Sequence, residues 1–222
     1  MNKLIIGIPI KNDLESFKEM YRSLYSSTKA YDKIVLAVGK GTNKETIDWI
    51  NNNITQFKVL DKNFTTPLEA YNALFQCAKE EKSDLFLTQT DVVFPKLYKQ
   101  DWLKQMKDIA QNEEIGAVTC INGGGISGPD YVNGMEWLGG WCSYYPNRTI
   151  EKIGDYDRDF PNGMGVDIDH TYRIFKSGLK IAKIDYWVHH HMQNERLHDK
   201  DPNTEQMKQD SSKYFKTKWK LN

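Results

Sequence analysis

The sequence predicts an α/β fold, a mostly parallel sheet flanked by helices, in a single domain over 1–222. Three observations predict it. Short β-branched runs without a polar face (LIIGIPI, KIVLAV, DLFLTQT) suit strands buried on both sides. Segments of helical apolar period separate them, and the links are short, which is the pattern of right-handed βαβ units. A chain of 222 residues is also long enough to bury one sizeable core.

The elements follow in order. LIIGIPI opens the sheet, and Asn12 stands three residues before Glu15, a capping-box spacing ahead of Leu14, Phe17, Met20, Tyr21 and Leu24. KIVLAV is the second strand, and Thr42 and Glu45 repeat the capping spacing before a helix with Ile47 and Ile50. FKVL is the third. Thr66, Pro67 and Glu69 then supply an N-cap, a first-turn proline and the box acid for a helix turning Leu68, Tyr71, Leu74, Phe75 and Ala78 inward. DLFLTQT runs into Asp91 and VVF; Trp102, Met106 and Ile109 mark another helix, and IGAVTC a fifth strand. From Asn122 to Asn147 the pattern dissolves into a connection rich in glycine and aromatics, the composition of a functional loop that can stack on flat ligands. A helix ending at Lys176, a Gly178 stop, the strand KIAKIDYWVHHH and a last helix from Thr204 to about Lys218 complete the chain.

Thirty basic and thirty acidic residues cancel, so no bulk field draws the chain to nucleic acid or to a membrane. The negative mean hydropathy fits a soluble protein. The run Leu4 to Ile10 is too short to span a bilayer, and no basic-then-apolar leader precedes it, so neither an anchor nor a cleaved leader is expected. Cys77, Cys120 and Cys142 are few, odd in number and widely spaced; the expectation is neither a disulfide framework nor a zinc cluster, and a reducing, cytoplasmic setting. The tail KYFKTKWKLN is basic and aromatic, which leaves open a peripheral membrane contact.

One stretch concentrates chemistry. Ile153 to Arg173 reads IGDYDRDFPNGMGVDIDHTYR, with aspartates at 155, 157, 159, 167 and 169 beside turn residues and then a helix. Asp is also an ordinary turn and cap residue, so a solvated acidic loop is the plain alternative.

With these segments in view, the chain resembles the family 2 type of glycosyltransferases with the GT-A fold, in register from Leu4 to His191. The resemblance is carried by IPIKN with Pro9 and Asn12, by GKGTNKET, by the helix with Ala70, Asn72 and Ala78, and by LTQTDVVF. It is carried most strongly by IEKIGDYDRDF together with GVDIDHTYRIFKSGLKI. It implies a Rossmann-like sheet with a nucleotide-sugar-binding half (1–121), an acceptor and catalytic half (122–198) and a C-terminal helix and tail (199–222). It further implies inverting transfer of a sugar from a nucleotide-diphosphate sugar to a hydroxyl of a glycan or other acceptor, with Mn²⁺ or Mg²⁺. The residues it assigns to the donor are Pro9, Asn12, Gly39, Lys40, Asn72, Gln89, Thr90 and Asp91. Trp141 and Asp169 fall to the acceptor side, with Asp169 alternatively a structural partner of Arg173. Asp167 is the general base: it follows Gly163 and Gly165 at a helix start, whose positive end stabilises a carboxylate that can accept a proton. Asp91 is the metal carboxylate, with Gln89 two residues earlier offering an amide oxygen. His191 is the favoured histidine ligand and His189 the alternate.

The chain departs from the family where acids are usual. Gly39 and Lys40 stand in place of donor-contacting acids, Gln89-Thr90-Asp91 in place of an acid-x-acid motif, and Val166 in place of a glutamate. These departures favour the main rival, a sugar- or nucleotide-binding module of the same fold that has lost turnover. A nucleotidyltransferase would want a glycine-rich basic loop after the first strand, and IPIKNDLES has none.

Overall fold

The computed structural model describes residues 2–96, 101–122, 131–132, 135–136, 138–190 and 202–221. The opening run forms β1 (Leu4–Ile10), buried almost throughout, with α1 (Leu14–Ser27) returning across the sheet to β2 (Lys33–Gly39). Then come α2 (Lys44–Asn53), β3 (Phe57–Phe64), α3 (Pro67–Glu80) and β4 (Asp84–Thr88). The second half adds β5 (Val92–Val93), α4 (Trp102–Ile109), β6 (Ile115–Asn122), a small pair β7 (Tyr131–Val132) and β8 (Met135–Glu136), and β9 (Cys142–Tyr145). It closes with α5 (Asn147–Ile153), a 3-10 turn at Pro161–Gly163, α6 (Val166–Lys176), β10 (Lys180–His190) and α7 (Thr204–Trp219).

Eight strands make one sheet in the order β3-β2-β1-β4-β9-β6-β10-β5. β3, β2, β1 and β4 run parallel, as do β6 and β10, while β9 and β5 are antiparallel to their neighbours. The carboxyl ends of the parallel strands therefore share one edge, where open α/β sheets bind ligands.

Each face of the sheet carries its own core. One contains Ile6, Phe17, Phe86, Trp102, Tyr144 and Tyr186 under α1 and α4, with the Trp102 indole stacked between Phe94 and Tyr186 at 4.9 and 5.1 Å. The other contains Leu74, Phe75, Leu87, Tyr145, Tyr156 and Ile174 under α3, α5, α6 and α7. Buried Asp84 joins the halves: its carboxylate accepts from the Tyr144 hydroxyl (2.6 Å) and the Asn147 amide (2.8 Å).

Three sequence expectations change. The capping box of α3 is present as read, with Thr66 and Glu69 bonding each other's backbone N–H. Those of α1 and α2 are not: the caps are Asp13, without a side-chain bond, and Asn43, whose side chain accepts from the Thr46 amide. Asn12 is drawn away because its side-chain oxygen accepts from the Asn43 backbone amide at 2.7 Å, fastening the turn after β2. The stretch 122–147 is not structureless throughout, since β7, β8 and β9 lie within it. Finally, Cys120 and Cys142 form a disulfide, against the expectation of none. They are 22 apart in sequence, but the β6–β9 register sets them at neighbouring positions, a pairing that spacing along the chain does not show. The expected reducing setting thereby loses the cysteine argument on which it stood.

Candidate active site

The site is assembled at the shared strand edge. β4 delivers Gln89, Thr90 and Asp91 as it leaves the sheet, and α6 points its first turn toward the same place from the face occupied by α3. Gly165 caps α6 in the left-handed region (φ 77°), which suits glycine, and this sharp entry sets Asp167 in the first helical turn.

Asp167 is half-buried and held from two sides. One carboxylate oxygen accepts from the Ile168 amide (3.0 Å), the other from the Gly140 amide (3.3 Å). A second stitch runs parallel: the Leu138 amide donates to the Thr171 hydroxyl (3.0 Å), which donates to the Asp167 carbonyl (2.7 Å). The segment entering β9 is thus sewn to the start of α6. Within it the Trp141 indole folds back over Gly139, where a Cβ would lie 2.0 Å from the indole nitrogen. Only glycine fits under that ring.

Tyr71 on α3 is the group that registers both acids. Its hydroxyl accepts from the Gln89 amide nitrogen at 2.5 Å. Burial foremost pushes its pKa well up, against the effect of the Gln89 bond, and the charges of Asp91 and Asp167 both add to the rise. One phenol that feels both carboxylates has both acids within electrostatic reach. Sequence periodicity reads Tyr71 only as a core position of α3, and Gly140 only as part of a glycine-rich run, so neither was legible as a site residue.

Other expected residues take other places. Asn72 is buried and clamps Tyr156, donating to its carbonyl (3.0 Å) and accepting from its amide (2.9 Å). It fixes the acidic loop to α3. Asp169 is fully buried; it accepts from Arg173 (3.1 Å) and Trp219 (2.8 Å) and pairs with Lys218 (2.8 Å). Of its two expected roles the structural one is present, and an enclosed carboxylate with three partners holds helices together rather than meeting an acceptor. Pro9 and Gly39 are half-buried on neighbouring strands, and Lys40 is exposed on the turn that Asn12 fastens. Thr90 donates to Asp13 (3.2 Å). His189 is exposed on β10 opposite Val93, and that register ends at His190–Val92, one residue beyond Asp91. His191 lies outside the described residues.

Among the described residues no three His, Cys, Asp or Glu side chains converge as a metal cage. The donor set at the β4 end is Asp91 with the Gln89 amide near it, hard oxygen donors but few. Such a set fits a divalent ion that draws its remaining ligands from a bound diphosphate.

Behind the site, His170 is buried against Phe75, Tyr145 and Tyr156, with ring centroids 5.1–5.2 Å away, and its Nε2 meets the Gly154 carbonyl at 2.9 Å. Burial, with the Arg173 charge adding, pushes its pKa down to about 3, so the ring is neutral at ordinary pH. The aromatic face of α7 also points inward: Tyr214 meets Phe160, and both Phe215 and Trp219 meet Tyr172.

No protein-family model matches the chain, and no curated protein matches it by sequence. Solved structures do. The chain is similar to a mannosyltransferase from Pyrobaculum calidifontis solved with GDP-Man and Mn²⁺, at 14% identity and a TM-score of 0.68 over 89% of this chain and 59% of that one. It is likewise similar to GalNAc-T7 solved with UDP, GalNAc and Mn²⁺, at 15% identity and a TM-score of 0.67 over 86% of this chain and 44% of that one. The chain spans about half the length of these neighbours. The fold is the GT-A fold.

Proposed function

We propose that this chain is a glycosyltransferase that moves a sugar from a nucleotide-diphosphate sugar to a hydroxyl acceptor with inversion, in glycan or polysaccharide synthesis. The observation that carries the reading is the pair Asp91 and Asp167, two half-buried carboxylates, one just past the end of β4 and one in the first turn of α6, both within electrostatic reach of Tyr71. The GT-A fold supports it, because the similar structures were solved with nucleotide sugars or their parts.

In this mechanism the acceptor oxygen attacks the anomeric carbon while the bond from that carbon to the diphosphate oxygen breaks, the electron pair leaving on the diphosphate. Asp167 takes the acceptor proton at the carboxylate that Gly140 and Ile168 orient, so the base needs no rearrangement during transfer. Inversion is what the resemblance implies, and a single base candidate, Asp167, agrees with it. Asp91 would hold a Mn²⁺ or Mg²⁺ ion, with His191 or His189 as further donors; when bound, that ion neutralises charge developing on the diphosphate. The turn from Gly39 to Asn43 is the candidate wall for the nucleotide, with exposed Lys40 there able to meet a phosphate or a base carbonyl. Membrane contact through the tail would fall to exposed Lys213, Lys216 and Lys220, since the aromatics of α7 face inward.

The test is a screen of UDP-, GDP- and dTDP-sugars with Mn²⁺, reading released nucleotide and sugar. Turnover is expected for one donor; nucleotide binding without any release would favour the binding-module rival. Asp91→Ala is expected to remove most of the metal-dependent gain in donor affinity in calorimetry. An unchanged gain would take the metal away from Asp91.

A further inference from the structure

α6 and β10 form an antiparallel hairpin joined through Gly178 (φ 83°), so the end of the strand returns to the start of the helix. Asp167 lies nine residues before the helix end at Lys176, about 14 Å at 1.5 Å per residue. At about 3.3 Å per residue β10 regains that height some four to five residues after Lys180. The strand therefore draws level with Asp167 near Ile184 and Asp185 and then runs past it.

Beyond that level the strand loses its cover on one side. Ile184, Tyr186 and Val188 are buried in the core beneath α4, whereas Lys183, Asp185, Trp187 and His189 alternate with them and are exposed. Nearer the helix end Ile181, on the same side as the exposed set, packs into the opposite core with α6. Lys183, Asp185, Trp187 and His189 thus face the side of the sheet that carries Asp167 and Tyr71. Trp187 is 56% exposed. Tyr25, the other large exposed hydrophobic among the described residues, stacks on Tyr21 and has Lys29 over its ring.

A second feature picks out the same place. β10 pairs Lys183 with Thr119 but Trp187 with Ile121, so four steps of β10 match two of β6 and the strand bulges between them. A bulge re-aims side chains and costs ladder hydrogen bonds, and such features gather beside active sites. Here it presents Asp185 and Trp187 outward, just past the start of α6.

We infer that Trp187 and Asp185 form the acceptor subsite and that its ligand is a pyranose ring of a glycan. The indole offers an apolar plane to the C–H face of the ring, and Asp185 accepts hydrogen bonds from ring hydroxyls. A sugar is amphipathic in the same way, apolar on its faces and hydroxylated around its edge. A ring stacked on Trp187 would lie just beyond the start of α6, on the side of the sheet that carries Asp167, the group that would take its proton. This inference rests on the glycosyl-transfer reading.

The experiment uses wild type, Trp187→Ala, Trp187→Phe and Asp185→Asn with the donor found in the screen and Mn²⁺. The acceptor probes are methyl α- and β-glycosides and β-linked disaccharides of glucose, galactose, mannose and N-acetylglucosamine. Trp187→Ala is expected to raise the acceptor KM roughly tenfold or more with a much smaller change in kcat, and Trp187→Phe to restore most of it. Asp185→Asn raises the same KM. Nucleotide affinity by calorimetry and melting temperature are expected to stay at their wild-type values, which a structural role for the indole would not allow. A wild-type protein that cleaves no nucleotide sugar sinks the proposed function, and this inference with it. Cleavage that proceeds while none of the glycosides accepts sugar, or while the acceptor KM is equal in wild type and Trp187→Ala, overturns the inference alone. So does a dimer that falls apart in Trp187→Ala without a change in KM, because the indole would then face a second copy.

Discussion

Asp167 can be a base or a helix-start acid, and the two roles separate on one residue. Its carboxylate accepts from Gly140 and Ile168, bonds that an amide oxygen could partly keep. As base, Asp167→Asn is expected to lower turnover by roughly 10²–10⁴ while melting temperature and nucleotide affinity hold. As a helix-start charge only, its replacement by Ala would cost about 0.3–1 kcal/mol of stability and leave turnover of the folded protein near normal. Turnover and melting measured on both variants decide, and an Asn variant with wild-type turnover removes Asp167 from the chemistry. Asp91 and Asp167 were legible in the sequence because each stands where a strand ends or a helix begins, next to turn residues. The structural role of Asn72 was not legible, because its partner, the backbone of Tyr156, is 84 residues away. Asp169 was legible only in part: four-residue spacing gives Arg173, but nothing local gives Trp219 or Lys218.

At the scale of elements, α6 carries Asp167, the proposed base, at one end and a buried imidazole behind it. The aromatic cage of Phe75, Tyr145 and Tyr156 comes from α3, β9 and the acidic loop, so His170 is a joint of three elements. No acidic side chain among these neighbours repays a charge on the ring, and Arg173 opposes one. The folded pKa of about 3 lies below the ordinary value of 6.5. Between these values the unfolded chain takes up a proton that the folded protein refuses, so stability is full above the upper value and is lost as pH falls toward the lower one. One proton gives a slope of at most about 1.4 kcal/mol per pH unit, or about 2 kcal/mol less stability at pH 5 than at pH 7. Urea unfolding at both pH values should show His170→Gln losing about that much of the pH dependence. An equal difference in variant and wild type would mean that His170 is not held neutral.

Across the whole molecule, alternation of apolar runs made β1 to β4 and their helices legible, because each run is long and has one period. β5, at two residues, and β9, inside a glycine-rich stretch, carry no period long enough to read; their antiparallel pairing is decided by the sheet around them. The disulfide was hidden for the same reason, and it gives the last prediction. Cys120 lies near the end of β6 and Cys142 begins β9, so their bond closes the stretch that contains Leu138, Gly140 and Trp141. A closed loop of 22 residues removes chain entropy from the unfolded state, and in the loop-entropy picture this stabilises the fold by about 3 kcal/mol. Both cysteines are buried, so reductant reaches them chiefly in the unfolded chain. Urea unfolding with and without a phosphine reductant, beside a Cys120→Ala, Cys142→Ala double variant, should therefore show lower midpoints for the reduced and the double-variant proteins. Thiol titration of unreduced, denatured protein should find Cys77 alone, the free cysteine of the structure. Three titrating thiols, or equal midpoints in all three samples, would show that the loop is not closed. If it is closed, the double variant should also weaken the hold of Gly140 on Asp167, and its turnover should fall further than the reduced stability alone accounts for at a temperature where the protein remains folded.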